Sequence, residues 1–116
     1  MIYRMIRATT PLHTFIFEED PSLYARILVT YAQGGSIVME KEKDDLIIEP
    51  LDEILKNKQR YAARYRLTQD ETKRFKANGG GPVQVQVRVL TENGEALASD
   101  KKTISVQDVL NDEVLV

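Results

Sequence analysis

The chain has 116 residues, 42% of them apolar, which is enough for one folded domain and too many for a disordered chain. Sixteen basic against eighteen acidic side chains leave a net charge of −2, so nothing global calls for a polyanionic partner. Cysteine is absent, which excludes disulfides, thiolate metal sites and thiol catalysis, and His13 is the one histidine.

Taken in chain order, a short strand is expected over about Ile2 to Arg7. A second follows at His13–Phe17, where His13, Phe15 and Phe17 alternate with Thr14 and Ile16 between Pro11 and Pro21. From Leu23 to Ala32 the residues Ala25, Ile27, Val29 and Tyr31 share one face. Gln33-Gly34-Gly35-Ser36 then turns the chain into a partner strand at Ile37–Glu40. Leu46-Ile47-Ile48 reads as a strand ending near Pro50, which would open a short helix or turn carrying Asp52 and Glu53 in its first turn. Tyr61 to Leu67 reads as a strand with Tyr61, Ala63, Tyr65 and Leu67 on one face and Arg64 and Arg66 on the other. Thr68-Gln69-Asp70-Glu71 matches a capping box and predicts a helical turn from Gln69 to Phe75, stopped by Asn78-Gly79-Gly80-Gly81-Pro82. Val83 to Leu90 is the clearest strand, four valines alternating with Gln84, Gln86 and Arg88. Asn93-Gly94 then suits a tight hairpin into Ala96–Ala98 and Lys102–Gln107.

Seven or so short strands joined by turns predict an all-β chain, a single immunoglobulin-like antiparallel β-sandwich over residues 1–116 with one or two helical turns. The competing architecture is α+β, with a helix near residues 50–62. No stretch reaches the roughly 18 apolar residues of a membrane span, and the arginines at positions 4 and 7 break up the start as a signal peptide. Synthesis in the cytoplasm is the expectation, with no membrane involvement.

Candidate chemistry is sparse. Gly79-Gly80-Gly81 lacks the following Lys-Ser or Lys-Thr of a phosphate loop and reads as a loop entering a strand. His13, mid-strand and in phase with Phe15, reads as a half-buried structural histidine rather than a general base. The acidic groups Glu18-Glu19-Asp20 and Asp44-Asp45 lack the spacing of a calcium loop. No metal or cofactor is expected and no catalytic residue emerges. From Lys56 to Lys76, eight basic residues face only Asp70 and Glu71, a formal +6. Tyr61 and Tyr65 are interleaved, as in single-strand nucleic-acid binders, yet strand alternation would put them on the face opposite Arg64 and Arg66. The window therefore reads as a solvated or partner-facing basic surface rather than a nucleic-acid site, with Arg60, Arg64 and Arg66 as candidate partner-binding residues. A second candidate is the closing segment Asp108 to Val116, where Val109, Leu110 and Leu115 offer apolar side chains for packing back or for adding to a partner's sheet edge.

RATTPLHTFIF, ILVTYAQGGSIVMEK and LTQDETKRFKANGGGPVQVQVRVLTENGEALASDKKTISV together resemble small prophage-encoded virion structural proteins of Gram-positive bacteria. They are also similar to the N-terminal immunoglobulin-like domain of phage baseplate upper proteins. The likeness covers roughly residues 5–107 and is interrupted between about Ile48 and Arg64, where EPLDEILKNKQRYAAR exceeds the family pattern. It implies a non-enzymatic tail or baseplate component, made in the host cytoplasm, built into the virion, and held by other phage structural proteins or by its own copies. The alternative is a ligand-binding module, most plausibly for carbohydrate, with Tyr24, Tyr31, Tyr61 or Tyr65 replacing the missing tryptophans.

Overall fold

The computed structural model describes residues 3–55 and 58–116, with side chains described for 3–51 and 59–116. Among the described residues, nine strands form two sheets. The larger contains β1 (Tyr3–Ile6), β3 (Arg26–Gln33), β4 (Ser36–Glu42), β7 (Val83–Leu90), β8 (Ala96–Ala98) and β9 (Lys102–Gln107), in the order β1-β9-β7-β3-β4 with β8 also on β7. The smaller is β2 (Leu12–Phe17), β6 (Lys58–Arg66) and β5 (Ile47–Leu55), in the order β2-β6-β5. β1 runs parallel to β9, and every other pairing is antiparallel. This is an immunoglobulin-like β-sandwich.

Alternation decides the core. Ile27, Val29 and Tyr31 of β3 and Val83, Val85 and Val87 of β7 are buried, and they meet Ala63, Tyr65 and Leu67 from the β6 side. β7 carries out the expected valine pattern, with Gln84 and Arg88 exposed. β8 and β9 pair with opposite ends of β7 in registers one residue apart. Between them Ser99 donates its N–H to Val87 O (2.8 Å) and accepts the Val87 N–H on Oγ (3.0 Å), so the two pieces act as one strand interrupted by a bulge.

The crossing from β6 to β7 is the capped turn. α1 (Gln69–Thr72) has Thr68 as its N-cap: the Thr68 hydroxyl accepts the Glu71 N–H (3.1 Å) and the Glu71 carboxylate accepts the Thr68 N–H (2.9 Å). The turn delivers Phe75, 1% exposed, beneath Tyr31 with ring centroids 5.9 Å apart. The glycine run that follows folds around Gln33, whose amide donates to Lys76 O (2.6 Å) and Gly81 O (2.8 Å) and accepts the Lys76 N–H (2.8 Å). A Cβ on Gly80 would stand 2.5 Å from Lys76 Cβ and 2.9 Å from Gln33 Nε2, so close backbone approach is what requires glycine there.

Two expectations change. The helix at Pro50 does not form: β5 runs from Ile47 through Pro50 to Leu55, and with β6 it removes the α+β alternative with a helix near 50–62. β5 is an edge strand, where a missing N–H costs little, and its register on β6 shifts between Pro50 and Ile54. The Asn93-Gly94 hairpin is also looser than a two-residue turn. Thr91 and Glu95 close a three-residue loop in which, of the pair, only Gly94 takes a positive φ (87°).

Phe75→Ala should lower unfolding free energy by about 3–5 kcal/mol. Thr68→Ala, which removes one cap, should cost only about 1 kcal/mol. Urea denaturation curves read at constant slope check both, and equal effects would show that the crossing turn is not anchored through Phe75.

Candidate functional site

The two sheets differ in width, and the difference leaves a groove. The inner face of the larger sheet extends past β2, which ends the smaller sheet. The resulting cleft of about 740 Å³ lies between β2 and the β1, β8 and β9 side. Its floor is Val85, Val87, Val89 and Ile104; one wall is Leu12, His13, Phe15 and Phe17; Tyr3, Arg4, Leu97 and Lys102 stand at the rim. Leu12 (44% exposed), Ile16 (51%), Tyr3 (50%) and Leu97 (49%) leave this region apolar at the surface. A volume of that order is typical of a binding cleft.

β2 itself is open for pairing. Leu67 donates its N–H to Pro11 O (3.0 Å), which makes that pair, and by alternation His13/Tyr65, Phe15/Ala63 and Phe17/Tyr61, the hydrogen-bonded ones. The N–H and C=O groups of Leu12, Thr14 and Ile16 therefore point away from β6, toward the groove. Edge strands are ordinarily guarded by charge, proline or bulges. β4 carries Glu40, Lys41 and Glu42, β5 carries Glu49 and Pro50, and β1 carries Arg4, whereas Leu12–Phe17 holds no charged residue and no proline.

His13 is half-buried, as the strand pattern predicts. Its Nδ1 lies 2.5 Å from the Tyr31 hydroxyl, which in turn bonds the Tyr65 hydroxyl. Lys41 pairs with Glu71 above the same cluster, its ammonium 5.7 Å from the Tyr65 ring centre. Burial pushes both tyrosines up and lowers His13 from 6.5, so near neutral pH all three are uncharged. Burial opposes ionisation of Glu71 as well, but hydrogen bonds from Lys41 and Thr68 overcome it and hold the carboxyl below its ordinary value. Chemically the cluster is a neutral hydrogen-bonded chain joining β2, β3 and β6. Among the described residues no group of three or more His, Cys, Asp or Glu could hold a metal ion.

The residues singled out from the sequence fall elsewhere. Arg60, Arg64 and Arg66 lie along β6 on the sheet face opposite Tyr61 and Tyr65. Arg64 pairs with Glu49 (2.9 Å), Arg66 donates to Thr10 O (2.8 Å), and Arg60 is half-buried. The side chains of Lys56 and Lys58 lie outside the described residues, and Lys73, Arg74 and Lys76 belong to the crossing loop at the end of the sandwich. The +6 window is thus split between a sheet face and a loop. Val109 is half-buried, Leu115 is 75% exposed and Leu110 fully so. The acidic groups act as local caps: Asp20 accepts from Ser22 N (3.0 Å), and Asp45 from Glu42 N (2.8 Å). Of the tyrosines considered for a sugar platform, Tyr31 and Tyr65 are buried, while Tyr24 lines the groove. The groove was missed because it arises from unequal sheets; the uncharged run LHTFIF was its local signal.

No protein-family model matches the chain, and no curated protein matches it. Among solved structures it is similar to extracellular domains 3–5 of Drosophila OTK, at 15% identity and a TM-score of 0.40, over 95% of this chain. The chain spans about a third (34%) of that chain's length.

Because His13 is held neutral in the fold, the unfolded chain takes up its proton first as pH falls. Stability should therefore decline below about 6.5, before the carboxylates titrate. Urea unfolding at pH 7 and pH 5.5 should show this loss, and His13→Gln should flatten it. An undiminished slope in His13→Gln would assign the effect to another group.

Proposed function

We propose that this protein is a non-enzymatic, phage-derived structural or assembly module, a tail or baseplate component that works through protein–protein contacts. It would be made in the host cytoplasm and carried in the virion. The observation that carries the interaction reading is the unguarded β2 edge opening onto an apolar groove: backbone donors and acceptors at Leu12, Thr14 and Ile16 lie beside a cleft rimmed by exposed Tyr3 and Leu97. Natural sheets suppress such an edge unless something pairs with it. The phage assignment rests on the resemblance of RATTPLHTFIF and of the long run from Leu67 to Val106. The first of these segments contains β2 itself.

A carbohydrate module has less support. The groove surface is mainly apolar, and sugars need several free polar partners beside an aromatic face, whereas His13 is already bonded to Tyr31. Mass spectrometry of phage particles purified from an induced culture of the strain that carries the gene tests the assignment. Peptides of this chain should co-purify with tail or baseplate fractions. Their confinement to the soluble lysate, with particles intact, would overturn it.

A further inference from the structure

The groove beside β2 has room for one extended segment, and its rim has an electrostatic preference. Arg4 and Lys102 line it, and neither has an ion-pair partner among the described residues. Lys102 stands in phase with the buried Ile104, so its side chain starts from the inner face of β9. An occupant should therefore be a strand with apolar residues at alternate positions and a carboxylate among them.

This chain carries one such segment. In residues 109–116, Leu110, Asp112, Val114 and Val116 share one face of an extended conformation. On its own body the segment is held at a few points, the half-buried Val109 and Val114 among them. Leu110 and Val116 are fully exposed; the Gln69 side chain bonds the Leu115 N–H (2.8 Å) and C=O (2.9 Å); and Asp112 is 3.6 Å from Arg7. Arg7 would keep its closer partner, Asp108 at 2.8 Å, if Asp112 left.

Resting on the interaction reading above, we propose that residues 109–116 of a second copy of this chain enter the groove as an added strand. They would exchange backbone hydrogen bonds with Leu12, Thr14 and Ile16. Leu110, Val114 and Val116 cover the valine floor, and Asp112 meets Lys102. The contact joins two different surfaces, so it either closes by reciprocal exchange, the smallest closed form being a twofold pair, or propagates from copy to copy.

Light scattering on size-exclusion eluates of the full chain, over a wide concentration range, tests this. Wild type should pass from monomer to dimer or larger species as concentration rises. Lys102→Glu and Asp112→Lys should each weaken association about tenfold, the worth of 1.4 kcal/mol, and the double variant should recover most of it. Thr14→Pro removes an N–H that β6 does not use, and should abolish association while circular dichroism stays that of a folded sandwich. A wild type that is monomeric throughout, or association indifferent to all these changes, overturns the proposal. So does failure of a labelled peptide of residues 108–116 to bind the full chain while the protein still co-purifies with tails. That last result would leave the assembly role standing and give the groove to another protein's strand.

Discussion

Tyr31 stands where both sheets, the crossing turn and the groove wall meet. Its side chain is wholly buried on β3, and its hydroxyl bonds Tyr65 of β6 and His13 of β2, while Phe75 from the crossing turn packs on its ring. A buried hydroxyl without partners would cost about 1–3 kcal/mol. These partners therefore have to arrive together, and their positions fix how β2 and β6 sit over β3. In a sandwich with no disulfide between its sheets, this neutral chain supplies a directional link that apolar packing lacks.

The position of β2 in turn decides where the sandwich is open. The three strands of the smaller sheet are anchored over β3 through Tyr65 and His13, so a cleft is left between β2 and the β9 and β1 side. His13 and Phe15 belong to both features, turned toward Tyr31 and Tyr65 on one side and lining the groove on the other. Filling the groove would thus bear on the same residues that stabilise the core.

The strands were legible wherever local pattern and burial agreed. VQVQVRVL alternates because one face of β7 meets the core, and Thr68-Gln69-Asp70-Glu71 caps a turn through contacts within four residues. Pro50 misled because two physical rules apply to it: a missing N–H suits a helix start and also suits an edge strand. Only the pairing of Ile48 with Ala63 and of Pro50 with Tyr61, contacts distant in sequence, decides between them. The groove was illegible for a related reason. It depends on how many strands each sheet has, which no window of residues contains. The basic window from Lys56 to Lys76 shows the opposite effect, since its residues divide in space between a sheet face and a loop once β6 ends and the chain crosses between sheets.

Charge then separates the two candidate surfaces. On the β6 face, the guanidinium of Arg64 already meets Glu49, and that of Arg66 a backbone carbonyl. A partner there would have to compete with contacts the fold makes for itself, and exposed ion pairs contribute only about 0–1 kcal/mol. At the groove, the cations stand beside apolar surface and unused backbone groups. A strand entering there would remove surface of Tyr3, Val89 and Leu97 from water, at about 25 cal/mol per Å², and satisfy the edge of β2 in the same step. There the hydrophobic and hydrogen-bonding terms would act together, so the proposed contact draws on the small uncharged edge more than on the basic stretch that dominates the linear sequence.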